Sequence, residues 1–235
     1  MQNPFAPLAD LLINLSMPFA KTSRQTLVAL TLLLGTAACL AGRPLAVDDA
    51  NVNDPGAGHV EMFYQRLPGA THAWTISPAY GVAVGVELAA SFNRDNTADA
   101  NTTAIQGKIR LTESRKNGCN LATSFGLSQP NVSGLGFSKF INGLASCNAG
   151  DAGSFHLNLG LVNPSGGPNV GSWGLAFERE FGAITGHAEV FGQENQAPTV
   201  QFGLRTLLTK SLQLDATMGS LQGETLYPVG LKFLF

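Results

Sequence analysis

The chain has 235 residues, of which 44% are hydrophobic and only 13% are charged, and its formal net charge is -2. Because charged residues make up about a quarter of an ordinary soluble domain, this composition indicates large surfaces that need no charge. The charge balance also lacks the basic footprint of nucleic-acid binding, so nucleic acid is excluded as a partner.

Residues 1–41 have the pattern of a secretory signal peptide. Lys21 and Arg24 precede an uncharged apolar run, residues 26–38, and small residues follow it. At 13 residues this run is too short to cross a bilayer as a helix, which takes about 20 residues. We therefore expect export and removal of this segment.

Two alternatives stay open at this end of the chain. We expect cleavage at or near Ala41, whereas lipoprotein processing at Cys39 is the competing reading of the small residues there. A start at Met17 would also give a more ordinary signal peptide than the start at Met1.

Removal of the signal peptide leaves two cysteines, Cys119 and Cys147. An even pair in an exported chain favours a disulfide, and two isolated thiols are the alternative. If the hairpin between them is centred near Ser133, the two cysteines lie opposite each other at its periplasmic end. The pair would then be a structural staple and not a redox centre.

Residues 42–58 form a polar segment with no periodicity, and it ends in a turn signal. Two interpretations remain. The segment is either a plug, with Asp48 and Asp49 meeting Lys108 or Arg110 inside the folded domain, or a flexible periplasmic tail.

Residues 59–235 alternate between apolar and polar side chains, which predicts twelve antiparallel strands. Most are nine to eleven residues long, the length with which a tilted strand crosses a bilayer. No apolar run after the signal is long enough for a membrane helix, so a chain that spans must do so as a closed barrel. We expect an all-β, twelve-stranded transmembrane β-barrel, with short periplasmic turns and a first such turn at 79–81.

The alternation separates an apolar face from a charged face. A Lys or Arg that faces lipid at the midplane costs about 2–4 kcal/mol, so the apolar face is assigned to lipid. The sixth strand is ambiguous, because Phe140 and Leu144 favour one parity while Ile141 and Ala145 favour the other. The charged face, assigned to the lumen, carries Glu61, Glu87, Lys108, Arg110, His156, Glu178, His187, Glu189, Arg205, Asp215 and Lys232.

Acids and bases on this inner face nearly balance, which leaves two interpretations. The groups either neutralise one another inside a narrow barrel or line a small polar pore or binding lumen. In the second case His187, Glu189 and Arg205 are the first candidates for a site, because they fall on the adjacent ninth and tenth strands.

A water-soluble β-sandwich or lipocalin-like barrel is the alternative fold. It would need a charged exterior, which the low charge content supplies poorly. The end of the chain also favours a membrane barrel, because Tyr227, Val229, Leu231, Phe233 and Phe235 occupy every second position and the chain stops on an aromatic residue.

The final strand resembles the C-terminal signal of bacterial outer-membrane β-barrels. The resemblance implies a location in the outer membrane, contact with its lipid, and recognition by the barrel assembly machinery.

The start of the expected mature chain resembles a family of outer-membrane proteins named for the meta-pathway of phenol degradation and described as transporters. The matching residues are Arg43 to Leu45, Asp48, Asp49, Gly56 or Gly58, and Glu61, while Val47 replaces the usual Thr. This resemblance implies passage of small, hydrophobic or aromatic solutes.

The sequence gives little support for catalysis. None of His59, His72, His156 and His187 lies in a His-x-Ser-Asn pattern, and no Cys/His cluster has the spacing of a metal site. We expect no enzyme, no cofactor and no metal. The alternatives to a solute channel are a closed barrel with a structural or surface-interaction role and a lipid-modifying barrel enzyme.

Overall fold

The computed structural model describes residues 45–67 and 71–235. The expected signal peptide, with Met17 and Cys39, lies outside the described residues, as do Arg43 and Pro44 of the family resemblance.

Twelve antiparallel strands form a closed barrel, in which each strand pairs with its neighbours in sequence and β1 pairs with β12. This confirms the predicted all-β, twelve-stranded fold. The strands are β1 Gly58–Leu67, β2 Thr71–Ala83, β3 Val86–Asp95, β4 Ala100–Arg110, β5 Gly118–Pro130, β6 Ser138–Asn148, β7 Ser154–Asn163, β8 Val170–Phe181, β9 Ile184–Gln193, β10 Thr199–Leu207, β11 Leu212–Leu221 and β12 Glu224–Leu234. We call the end of the barrel that holds Gly58 and Phe235 the terminus end, and the opposite end the far end.

Exposure alternates along the strands, with apolar side chains outside and polar ones inside. Leu88, Ile105, Leu159 and Phe202 are exposed, while the charged residues between such positions are mostly buried. A wall of this kind suits lipid, and it follows the predicted parity. Within the described residues, no helix is long and apolar enough to cross a membrane.

In the sixth strand, β6, the side chains alternate as Ile141 and Ala145 predicted, and not as Phe140 and Leu144 predicted. Leu144 is buried and Ile141 is exposed, so Phe140 and Leu144 face the lumen.

The prediction of a turn at 79–81 is wrong, because these residues lie within β2 and the chain turns at Gly85 with φ 74°. Gly81, which the sequence placed in that turn, fits the strand, and so does Pro78. Ser77 donates its hydroxyl hydrogen to the carbonyl of Ala90 at 3.1 Å, beside the position where Pro78 has no N–H to offer.

The barrel closes between its first and last strands. The backbone N–H of Gly58 donates to the carbonyl of Phe235 at 2.8 Å, and the N–H of Phe235 donates back at 3.0 Å. A Cβ on Gly58 would lie 2.9 Å from the Phe235 ring, so glycine allows the last residue to pack against the first strand.

Cys119 and Cys147 form the expected disulfide across β5 and β6. They are direct partners in the strand register, with Cα atoms 3.9 Å apart, at the terminus end of the hairpin. The register centres this hairpin on Ser133, as the sequence predicted.

A lumen crossed by the N-terminal segment

Residues 45–57, which we call the N-terminal segment, lie inside the barrel. Next to β1, Pro55 forms a parallel bridge with Gly81 of β2. From there the segment passes β3 at Asn53 and reaches β9 at Val47, on the other side of the lumen. The structure therefore places these residues across the lumen and not outside it.

Apolar side chains fix the segment against the wall. Leu45 and Val47 form a buried cluster with Ala176 of β8, and Phe191 packs against it. Ala50 forms a second cluster with Ala122 and Leu144. Burial of apolar surface contributes about 25 cal/mol per Å², so these clusters favour the docked position.

Lys108 of β4 forms an ion pair with the segment. Its Nζ lies 2.7 Å from Oδ1 of Asp48 and also donates to the carbonyls of Asp49 and Asn51 at 3.2 and 3.3 Å. Burial raises the pKa of the Asp48 carboxyl to about 6, while the neighbouring Lys108 ammonium opposes that rise. The Asp48 charge therefore depends on Lys108 for its compensation.

Two glutamates of the wall accept hydrogen bonds from the backbone of the segment. Oε2 of Glu189 accepts the N–H groups of Ala46 and Val47 at 2.7 and 2.8 Å. Oε2 of Glu87 accepts the N–H of Asn53 at 2.9 Å. Hydrogen bonds to a carboxylate are stronger than neutral ones, so each adds to the docking of a segment that has no regular secondary structure.

Neutral side chains complete the docking. Asn158 of β7 accepts from the backbone N–H of Asp48 at 2.7 Å and donates to its carbonyl at 2.6 Å. The hydroxyl of Ser146 on β6 accepts the N–H of Ala50 at 2.8 Å. Sequence reasoning missed Asn158 and Ser146 as partners of the segment because it considered only charged inward positions. The alternation already placed Asn158 on the inner face, whereas the parity of the sixth strand, which carries Ser146, was open.

The other predicted lumen charges lie nearer the terminus end, where several form ion pairs. Lys232 pairs with Glu61 at 3.0 Å. Arg205 pairs with Glu178 at 2.8 Å, and His156 lies 3.6 Å from the same glutamate.

Two further predicted residues occupy different surroundings. Arg110 lies beside the turn at Gly85, and Asp215 is buried opposite Gly230 in the register.

The three first candidates for a site have different partners. Glu189 binds the N-terminal segment, Arg205 binds Glu178, and Nε2 of His187 lies 3.4 Å from the hydroxyl of Thr217. Their placement on adjacent strands was predicted correctly, but their side chains serve separate contacts.

Three cavities adjoin the segment in the described part of the chain, and the smaller of the two nearest the terminus end lies against Glu61, Glu87 and Lys108. At the terminus end, a cavity of about 910 Å³ is bounded by the turns at 114–117 and 148–153 and by Asn51 of the segment. Toward the far end, the third cavity has the segment residues Ala46 to Asp48 in its wall. Much of the remaining lining of this far cavity is apolar surface, from residues such as Phe140, Val162 and Phe191. Its hydroxyl and amide groups come from Gln106, Ser124, Ser128, Ser138, Asn142, Asn158, Ser172, Gln193, Gln196 and Thr199.

Within residues 45–67 and 71–235 there is no group of three or more His, Cys, Asp or Glu side chains arranged to hold a metal ion.

A protein-family model described as "Uncharacterised conserved protein UCP029691" matches residues 29–226. A comparison with the curated proteins returns no match. These findings do not show membership of the phenol-degradation family, which stays a prediction.

Among solved structures, the chain is similar to the KdgM porin, with a TM-score of 0.62 and 13% identity over 76% of this chain and 99% of that one. A structure of KdgM porin in complex with disordered oligogalacturonate matches with a TM-score of 0.61 and 14% identity over 76% and 99% of the two chains. The NanC porin matches with a TM-score of 0.59 and 13% identity over 75% and 98%. At these identities the likeness shows a shared porin-like barrel fold.

Proposed function

Because the chain belongs to the family described as "Uncharacterised conserved protein UCP029691", a description that names no activity, we propose a function from the geometry of its lumen. The protein is a porin-like channel of the bacterial outer membrane for small solutes, and its N-terminal segment closes the lumen. By the usual arrangement of bacterial barrels, the short turns of the terminus end face the periplasm.

The position of the N-terminal segment carries this proposal. Its backbone and Asp48 bind side chains from five strands, through Glu87, Lys108, Ser146, Asn158 and Glu189. Each contact is polar, and each can be replaced by water when the segment leaves. The barrel fold, similar to those of two porins, supports passage once the lumen is clear.

The side chains that line the lumen indicate which class of solute the channel would accept. The family resemblance predicts hydrophobic or aromatic solutes. The wall around Glu61, Glu87 and Lys108 is mainly polar, whereas the far cavity combines hydroxyl and amide groups with a larger apolar surface. The KdgM complex contains oligogalacturonate, which is a polyanion. Here Arg205 and Lys232 are each paired with a carboxylate of the wall. Lys108 is paired with Asp48 while the segment is docked, and Arg115, Lys116 and Arg179 line the terminus-end cavity. The lumen around the docked segment therefore suits small solutes without charge better than acidic oligosaccharides.

A permanently closed barrel with a structural role is the second candidate. The number of contacts that hold the segment favours it, because a plug that never leaves needs no passage to open.

Single-channel conductance in planar bilayers separates the two candidates. We would compare the refolded chain 42–235 with a variant that lacks residues 42–57. Conductance that increases on deletion supports a channel closed by the segment. Silence in both forms contradicts the channel and favours the closed barrel, provided that heat-modifiable mobility on gels shows both forms to be folded.

A further inference from the structure

The far cavity contains amide groups with unused hydrogen-bonding capacity. Gln106 and Gln193 are each only 5% exposed. The Oε1 atom of Gln193 accepts a hydrogen bond from Nε2 of Gln196 at 3.2 Å. Within the described residues, Nε2 of Gln193, Oε1 of Gln196 and Oε1 of Gln106 are buried and have no hydrogen-bond partner. Leaving such a group unpaired costs about 1–3 kcal/mol, so a native site with three of them favours a polar ligand.

The surroundings of these amides define the chemistry of that ligand. Phe140 and Phe191 contribute aromatic surface to the same cavity. Asp48 is the one charged residue among its described lining, and that charge is paired with Lys108. The cavity thus offers donors, acceptors and apolar surface, with no uncompensated charge.

We propose that the far cavity is a binding site for a neutral polyhydroxylated solute, a sugar or a polyol. Hydroxyl groups both donate and accept, so they can pair with the Gln193 donor and with the Gln106 and Gln196 acceptors when these amide groups turn toward the cavity. The C–H faces of a sugar ring can lie on the aromatic side chains. An anionic sugar would bring a charge for which this wall has no free cation. The inference rests on the proposed channel, since the bound sugar would be its solute.

Saturation-transfer NMR tests binding without relying on conductance. The refolded chain 42–235 in deuterated detergent would be mixed in turn with galactose, galacturonate and phenol. Galactose and galacturonate differ only in the oxidation of one carbon to a carboxylate, so they isolate the effect of charge. We expect clear transfer to galactose above a detergent blank, and at least threefold less to galacturonate and to phenol.

Single variants locate the site. Gln106→Leu and Gln193→Leu keep the size of the side chain and remove an unpaired polar group, so the barrel should fold normally. We expect each to reduce transfer to galactose at least fivefold. Gln129→Leu is the matched control, because Gln129 is an exposed glutamine of β5 outside the cavity lining.

Three results would overturn the proposal. The first is no transfer to galactose, which would indicate a cavity that holds only water. The second is transfer to galactose in both cavity variants equal to that in the parent. The third is stronger transfer to phenol than to galactose. Binding of galactose by a protein that is silent in bilayers supports the site while contradicting the channel. Conductance without binding contradicts the site alone.

Discussion

Lys108 decides whether the N-terminal segment can stay in the lumen. Its ammonium group contacts the Asp48 carboxylate and two backbone carbonyls of the segment. Removal of one partner from a buried ion pair costs about 3–5 kcal/mol, because the other charge stays behind without compensation. Asp48 can avoid this cost, because the segment that carries it can leave the barrel and expose the carboxylate to water.

We therefore predict that Lys108→Met releases the segment and leaves the barrel folded. Single-channel conductance should rise toward that of the variant without residues 42–57. Lys210→Met, on an exposed turn outside the lining of the cavities, should behave as the parent. A Lys108→Met protein that is folded and conducts no more than the parent contradicts this prediction.

The double variant Asp48→Leu with Lys108→Met should close the lumen again. Replacing both members of a buried pair by apolar residues is often neutral or stabilising, so the segment regains its docked position. Conductance in a full double-mutant cycle measures the effect, and additive effects of the two substitutions would rule out coupling between them.

The sequence placed Lys108 and Arg110 on the inner face but offered both as partners of the aspartates. The alternation of apolar and polar residues distinguishes the inner face of a strand from its outer face. It does not indicate at which position along the barrel axis an irregular segment crosses the lumen. Only the folded barrel shows that Lys108 meets the segment while Arg110 lies at the turn.

At the scale of elements, β2 shows why a pattern can predict a strand correctly and misplace its end. Gly81 resembles turn punctuation in the sequence, yet it lies in the strand, where Asp54 of the segment approaches so closely that a Cβ would collide with its carbonyl. The glycine serves a contact with a distant part of the chain, and such contacts leave no local signal.

The lipid-facing parity predicts the effect of charge on β7. Leu159→Arg, near the middle of that strand, should reduce the free energy of unfolding by about 2–4 kcal/mol, whereas Leu161→Arg, nearer the far end, should cost less. Urea titration in lipid vesicles measures both. Equal costs at the two positions would mean that they lie at the same membrane depth.

The disulfide between β5 and β6 predicts a loss of stability on reduction. Because the cysteines are 28 positions apart in the sequence, Cys119→Ser with Cys147→Ser should destabilise the barrel by roughly 3.5 kcal/mol through the freedom gained by the unfolded chain. The same titration, with and without reductant, tests this. The serine variant should not respond to reductant at all.

At the scale of the whole molecule, charge is distributed unevenly along the barrel axis. The ion pairs of Glu61 with Lys232 and of Glu178 with Arg205 lie toward the terminus end, while the far cavity is lined by hydroxyl, amide and apolar groups. The sequence could predict twelve strands and their faces, because both follow from periodicity within each strand. It could not predict this distribution, which depends on how twelve registers align around a closed sheet.

The N-terminal segment ends where the barrel closes, at the paired residues Gly58 and Phe235. A released segment therefore stays tethered to the rim, and its return is an intramolecular event. A short flexible tether corresponds to an effective concentration in the millimolar range. A free peptide of residues 45–57, added to the deletion variant from the terminus side, should accordingly match the block by the tethered segment only as its concentration approaches about 1 mM. Covalent attachment would then add to the affinity of the docking contacts in keeping the lumen filled, and a single cut near Gly58 would let the segment diffuse away after each release.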